Sequence, residues 1–504
     1  ISGLTKVKPE EIKAMFTQKS GEVFNTVIFR NDLDKIKKHY REEKGLFLEH
    51  KIKGNLIKNG IVNLELVELK VGKIKIVGLE KTKEFVVRRE LTIKEGDVFD
   101  ANQIREDIFR VYRSRLFDSV EPKMEAGTQP DTIDLTIELK EAATGSFQIG
   151  ASYSETTNQM GGLLVFSEDN LMGLGQSISL DTNISEDGNN ISFNFYDPWL
   201  DDKGTSFRLS VWNSDSEITS TLNSWGFKAG KLVQAEDSDG NTVKYGADHP
   251  YELDLNRTGL LLSFGRKWRT DTTARLKLNF ERNTIEDFYL TSSDLDDEQN
   301  GLREEFLDES KHKAEFWDNS LGIELVKNKL QYDGRSFVRG GYQLLGSYSV
   351  AGPYLGGEFE YQSAVLEGKW FRPLAKNLVF GTRLQGAYLT GDYPDYDQLY
   401  LGGMFKLRGY DDQRFDSSYT KDLIGSGYVL SNTELRYRLP SNKSLEFVLF
   451  GDVGQITDSG SKDLKYDYGI GFRYEIPFLG LLRIDQAWNG DGQKKFVISL
   501  GELF

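Results

Sequence analysis

From residue 143 to the C-terminus the chain keeps one rhythm: short segments of alternating apolar and polar residues, joined by brief polar turns and long polar loops. A period of two places successive side chains on opposite faces of a strand, so the rhythm predicts β-strands. Sixteen fit, centred near Phe147, Leu163, Ile178, Phe193, Leu209, Leu261, Leu276, Ile323, Val338, Tyr361, Phe380, Thr433, Phe447, Gly471, Ile484 and Ile498. Short connections fall at YDGR, PLAKN, PSNKS and PFLGL; long ones run from Ser214 to Glu252, Glu286 to Glu315 and Gly391 to Ser426. A soluble sandwich has no reason to alternate long with short. A transmembrane antiparallel β-barrel does, because its periplasmic turns are short and its outer loops long. The parity puts both the N-terminal region and the C-terminus on the periplasmic side.

Side-chain alternation points the same way. In YVLSNTELRYRLP, Asn432, Glu434, Arg436 and Arg438 share one face, and Val429, Leu435, Tyr437 and Leu439 the other. An Arg or Lys facing lipid at the bilayer midplane costs roughly 2–4 kcal/mol, so the charged face should line the lumen. The mean hydropathy of −0.47 is compatible with such a barrel, whose strands are only half apolar. No run approaches the roughly 18–20 apolar residues of a membrane-spanning helix.

Residues 1–142 are written differently, with helix-period segments between short β-branched runs. KSGEVFNTVIFRNDLDKIKKHYREEKGLF (Lys19 to Phe47) parallels KEGDVFDANQIREDIFRVYRSRLFDSV (Lys94 to Val120), a repeat of about 70 residues. Each copy sets Gly-acid-Val-Phe before an amphipathic helix, with Ile104, Ile108, Val111 and Tyr112 on the apolar face of the second. Strands follow at IVNLELVEL and TIDLTIELKE, and KIKIVGLEKT opens the second copy before a first helix begun near Thr82. The unit reads β-α-α-β-β, a small α+β domain with one open sheet edge. The first copy lacks its opening strand and the chain starts at Ile1, which we read as truncation or processing. Domains are therefore expected at 1–70, 71–142 and 143–504.

The composition excludes several functions. Cysteine is absent, and His39, His50, His249 and His312 have no partner at metal-ligand spacing. The net charge is −15 with no basic stripe, which argues against nucleic acid. There is no Gly-x-Ser-x-Gly elbow, His-Glu-x-x-His or Ser-His-Asp grouping, so neither a catalytic site nor a cofactor is expected.

The N-terminal repeat resembles the POTRA domain, and the barrel resembles the BamA family of outer-membrane assembly proteins. LGGMFKLRGYDDQRF (Leu401 to Phe415) is similar to that family's Val-Arg-Gly-Tyr/Phe signature on a loop folded back into the lumen, with Leu407 in place of Val. SEDNLMGLGQSISL (Ser167 to Leu180) resembles its Asn-Leu-x-Gly-x-Gly turn; a phosphate cradle would need a following helix and usually a Lys, and a strand follows instead. NFYDPWLDDKG matches a family turn in which Pro198 starts the reversal and Trp199 anchors at the interface. KKFVISLGELF looks like a barrel-recognition C-terminus ending in Phe504.

The resemblance implies roles. Arg408, Gly409 and Tyr410 form the lumen-loop motif, and Glu434 and Asp452 are the acids that would hold the Arg, which suits bidentate pairing. A lateral seam would join Phe147, Ile149 and Gly150 of the first strand to Val497, Ser499, Gly501 and Phe504 of the last, with Gly501 weakening the join. The implied function is insertion of β-barrel proteins into the bacterial outer membrane. Its partners would be unfolded outer-membrane clients, accessory periplasmic lipoproteins and the lipid bilayer. The same motifs leave open a two-partner secretion translocator or a TamA-like factor. A porin is disfavoured, having no reason to carry POTRA repeats.

Overall fold

Asn25 and Asp100 begin the two long N-terminal helices in the same way. The Asn25 Oδ1 accepts from the Val27 and Ile28 amides at 3.0 and 3.3 Å, and the Asp100 Oδ1 from those of Asn102 and Gln103 at 3.1 and 3.2 Å. Each side chain satisfies N–H groups that the first helical turn leaves unpaired. The helices are α2 (Thr26–His39) and α4 (Ala101–Arg113), each preceded by a shorter one, α1 (Pro9–Met15) and α3 (Glu84–Arg88). Strands β1 (Leu48–Lys51) and β2 (Glu65–Glu68) pair antiparallel; β3 (Lys70–Val77), β4 (Phe117–Ala126) and β5 (Thr132–Glu141) form a sheet in the order β3-β5-β4. Because β3 joins β5 in parallel on the side away from β4, this sheet has two outer strands rather than a single open edge.

The computed structural model describes the chain except residues 2, 20, 52–56, 59–60, 155–158, 186–187, 221–233, 237–241, 245–250, 270, 291–313, 334–336, 395–396, 411–422, 458–463, 477–479 and 501–504. Two compact units emerge: Ile1–Gly145 together with Glu168–Gln176, and Ser146–Ser167 together with Ser177–Phe504.

The first unit contains two apolar clusters. Ile12, Leu33, Ile36 and Leu66 anchor one, and Val71, Ile104, Val111 and Ile137 the other. Tyr112 departs from expectation: it is 53% exposed, whereas Ile104 and Val111 are buried. At 3.6 residues per turn Tyr112 sits about 80° from Ile104, beyond the edge of the buried stripe.

The same unit also holds the Asn-Leu-x-Gly-x-Gly turn. The buried Asn170 donates its amide to the Thr82 hydroxyl at 2.8 Å, and the Lys83 amide donates to the Gly173 carbonyl at 2.8 Å. Gly173 has φ +77°, and a Cβ there would strike the Lys81 carbonyl. The glycine serves a close backbone approach.

In the second unit sixteen main strands among the described residues close into an antiparallel barrel. They are β6 (Gly145–Ser154), β7 (Gln159–Glu168), β8 (Ser177–Ser185), β9 (Gly188–Asp197), β10 (Thr205–Ser220), β11 (Tyr251–Arg269), β12 (Thr272–Leu290) and β13 (Ala314–Asn328). The wall continues with β14 (Phe337–Ala351), β15 (Glu360–Ala375), β16 (Leu378–Asp392), β17 (Gly427–Arg438), β18 (Leu445–Ile456), β19 (Lys465–Ile476), β20 (Gly480–Asn489) and β21 (Lys494–Leu500). Each strand centre read from the sequence falls inside one of them. A short piece, Gln331–Asp333, pairs with the start of β14 and leads into the YDGR turn.

The loop bounds need correction. Residues Ser214–Ser220 and Glu286–Leu290, read as loop, continue β10 and β12 alongside β11. Their polar composition does not end a ladder that is held by backbone hydrogen bonds. Parts of these loops and of the YDGR and PFLGL turns lie outside the described residues. At the β9–β10 turn the Asp197 carboxylate accepts the Trp199 amide at 2.9 Å. Asp201 accepts the amides of Lys203 and Thr205 at 3.0 and 2.9 Å.

Alternation sorts the wall into two faces. Along β17, Asn432, Glu434 and Arg436 are buried while Val429 and Tyr437 are exposed. Leu276, Ile323, Leu325, Leu366, Leu384 and Leu449 are also exposed, forming the lipid-facing belt of a membrane barrel.

Candidate functional site in the barrel lumen and at its seam

The site begins with a loop whose apolar residues are packed inside the barrel. Leu401 and Leu407 are fully buried and cluster with Leu423, Tyr428, Leu430 and Ile456. A tight backbone knot joins them: the Leu407 amide donates to the Leu401 carbonyl and the Gly403 amide to the Tyr410 carbonyl, both at 3.0 Å. Arg408 projects from this knot toward the wall formed by β17 to β20. Its Nε and Nη2 donate to the two carboxylate oxygens of Asp452 at 2.6 and 2.8 Å, and its Nη1 donates to Glu434 Oε1 at 2.6 Å. The guanidinium also lies 3.5 Å over the Phe450 ring. Such a fork fixes direction as well as charge.

Charge in this buried cluster is shared further. Glu434 also accepts from Arg436 at 2.7 Å and Arg473 at 3.1 Å. Arg473 donates to Asp485 at 2.5 Å, and Asp485 lies 3.5 Å from Arg408 and 3.6 Å from Arg483. Glu434, Asp452 and Asp485 meet four arginines, with Asp467 alongside, all at 2% exposure or less. In a medium of low dielectric an unpaired member would be destabilising, so the set acts as a unit.

The wall also grips the loop by its backbone. The Gly409 amide donates to Asp467 at 3.0 Å. The carbonyls of Met404, Phe405, Lys406, Gly409 and Tyr410 accept from Arg483, Arg383, Asn432, Asn489 and Lys495, at 2.7, 2.9, 2.8, 2.9 and 3.2 Å respectively. Gly409 is required here, since a Cβ would sit 2.7 Å from the Asp467 Cβ and 3.1 Å from that of Asn489. The arrangement is built to position a loop. Among the described residues no group of three His, Cys, Asp or Glu could hold a metal.

The structure thus brings Arg408 together with Glu434 and Asp452, with Gly409 and Tyr410 packed beside them. Sequence reasoning missed Asp467, Arg473, Arg483 and Asp485. A signal was present: KYDYGIGFRYEI and LLRIDQAW set their charges at even spacing opposite aromatic and aliphatic residues.

The seam residues are placed differently. Phe147 and Ile149 on β6 are 63% and 59% exposed, whereas Val497 and Ser499 on β21 are buried. Gly150 lies within β6. Gly501 and Phe504 lie outside the described residues. Among the described residues a single register pair, Val497↔Ser154, joins β21 to β6, whereas seven join it to β20, from Leu482↔Leu500 to Trp488↔Lys494.

The sequence profile of the Omp85 superfamily domain matches residues 170–504. The chain belongs to the Omp85 superfamily. A second profile, POTRA, described as a surface antigen variable number repeat, matches residues 69–142 of this Omp85 protein. The outer membrane protein assembly factor BamA of Nitratidesulfovibrio vulgaris is 23% identical over 86% of the chain. The chain spans 51% of that relative's length. BamA from Haemophilus ducreyi lacking POTRA domains 1–3 shares the fold, with a TM-score of 0.58 at 18% identity, covering 100% of this chain and 98% of the other. CdiB from Escherichia coli does so too, with a TM-score of 0.60 at 15% identity over 99% of this chain and 89% of the other. As an Omp85 protein, the chain is an outer-membrane barrel with its POTRA region in the periplasm.

Proposed function

We propose that this Omp85 protein folds and inserts β-barrel proteins into the bacterial outer membrane through the seam between β6 and β21. In this reading residues 1–70 and 71–142 are two POTRA domains ahead of a barrel spanning 143–504. The observation that carries it is the single register pair, Val497↔Ser154, between first and last strands among the described residues. Strand amides in hydrocarbon have no water to bond, and each unsatisfied group costs several kcal/mol. Among the described residues the seam shows one rung, and a join with few rungs is a weak place in such a wall. An incoming client hairpin pairs with the exposed edges and lowers their free energy, so insertion needs neither ATP nor a covalent step. Arg408, Glu434 and Asp452 hold the lumen loop and brace the remaining wall. The outer strand β4 offers an edge to which client segments or accessory lipoproteins add by β-augmentation.

A second reading, a two-partner translocator that exports one secreted protein, fits the same architecture, which CdiB shares. Depletion of the full-length protein separates the two. Insertion predicts a simultaneous loss of many outer-membrane barrels. Loss of a single secreted protein, with the barrels unchanged, would overturn it.

A further inference from the structure

The lumen loop touches a second wall as well. Before it reaches the arginine knot, the loop presents Asp397, whose Oδ1 accepts from Arg257 Nη2 on β11 at 2.9 Å. Arg257 also lies 3.8 Å from Glu281 on β12. Close by, Asp318 on β13 accepts from the Tyr361 hydroxyl on β15 at 2.7 Å. Arg257 thus holds Asp397 from the half of the barrel that starts at β6 and has Glu281 as a second carboxylate neighbour.

The other end of the loop is held by the half that finishes at the seam. Arg408 and Gly409 are bound by β17, β18 and β19, and Lys495 of the last strand itself donates to the Tyr410 carbonyl at 3.2 Å. We propose that the segment Asp397–Tyr410 is a strut across the lumen, and that Arg257 is a positioning residue which ties its near end so that β21, hung on its far end, stays against β6. The strut rests on the seam being the place that opens, but it concerns the geometry of the barrel and not its clients.

The sequence contains no cysteine, so an engineered pair gives a clean reading of the seam. Residues directly opposite in register have close Cβ atoms, which makes Ser154→Cys with Val497→Cys a reporter of a closed seam. In the full chain, in lipid vesicles under mild oxidant, this pair should cross-link. Adding Arg257→Asp or Asp397→Arg should lower the cross-linked fraction by about twofold or more, the effect of losing one partly exposed ion pair. The two together, restoring the pair with its charges exchanged, should recover it. Heat-modifiable migration on a gel identifies any variant that has not folded, and Arg257→Lys, which keeps the charge, should lie between wild type and Arg257→Asp. Equal cross-linking in wild type and both folded single variants would overturn the strut, as would failure of the folded double exchange to recover. A strut effect without any loss of client barrels on depletion would leave the strut standing and remove the insertion reading instead.

Discussion

In the N-terminal unit inward-turned carboxylates chiefly meet backbone amides, whereas around Arg408 in the barrel lumen they chiefly meet guanidinium groups. Asp32 accepts from the Thr17 amide and hydroxyl at 2.8 and 2.7 Å; Asp107 does the same for Thr92 at 2.8 and 2.7 Å and adds the Ile93 amide at 2.9 Å, with Arg110 at its rim. Glu68 takes the Lys6 and Val7 amides at 2.7 and 3.0 Å with the Thr5 hydroxyl, and the half-buried Glu141 takes those of Glu80, Lys81 and Thr82 at 3.1, 3.2 and 2.7 Å. These acids finish turns around a core that is otherwise apolar. The lumen has almost the reverse composition: among the described residues its largest fully buried side chains are Arg408, Arg436, Arg473 and Arg483. A domain in water can put its apolar surface inside. A barrel in lipid needs that surface outside, and must fill its interior with polar groups that satisfy one another.

The sharpest test of this division is Arg408. Arg408→Ala takes the guanidinium from Asp452 and one of three from Glu434, and breaking a buried ion pair in this way costs about 3–5 kcal/mol. Heating before electrophoresis should convert the folded barrel to its unfolded mobility at a clearly lower temperature, and complementation should be impaired. Full activity with unchanged heat resistance would remove the bracing role. Arg408→Lys keeps the charge but not the fork, and should fall between the two in the same gel.

A smaller effect is expected at Asp107. Asp107→Ala leaves the Thr92 and Ile93 amides without their acceptor, about 1–3 kcal/mol for a buried group left unsatisfied. Amide exchange should quicken across α4 and the preceding turn while the barrel strands stay protected. Exchange spread evenly over both units would show that the two cores do not open separately. Asn25→Ala, which removes only a cap, should cost about 1 kcal/mol, confined to the first turn of α2.

What the sequence disclosed follows the same division. The sixteen strands were legible because period-two alternation and turn residues are local signals. Glu434 faced inward on alternation alone, since it shares a parity with Asn432 and Arg436. That Arg408 meets it was suggested only by resemblance, because the meeting depends on a loop that crosses from one wall to another. The additional lumen charges lay in plain alternation, but their partnership needs register. Arg473 stands directly opposite Arg483, a pairing made tolerable by Asp485, which contacts both, and by Glu434 on Arg473. The repeat held an overlooked clue: Thr17 and Asp32 are fifteen residues apart, as are Thr92 and Asp107.

The mildest perturbation is a change of pH, and in the N-terminal unit its sign follows from the amides that hold the acids. Burial pushes the Asp32 carboxyl up, but the Thr17 hydroxyl and the Thr17 and Gln18 amides outweigh it and hold the group below the ordinary Asp value. Burial likewise raises Glu141, and the hydrogen bonds from Thr82, Lys81 and Glu80 bring it below the ordinary Glu value. A carboxyl whose folded value is depressed stabilises the fold at every pH above its unfolded value and loses that contribution as pH falls through the folded one. With unfolded values of about 3.9 for Asp and 4.3 for Glu, the loss should begin below about pH 4 and deepen on further acidification. The effect is the smallest of the series because protonation leaves the surrounding backbone in place. Urea unfolding of the N-terminal unit in the full chain, followed by protease susceptibility from about pH 7 down to about pH 3, should show a falling midpoint at the acid end. Asp32→Asn together with Glu141→Gln should lower the midpoint at neutral pH and flatten its acid limb; an equally steep limb in that variant would mean that other carboxylates set the acid sensitivity of this unit.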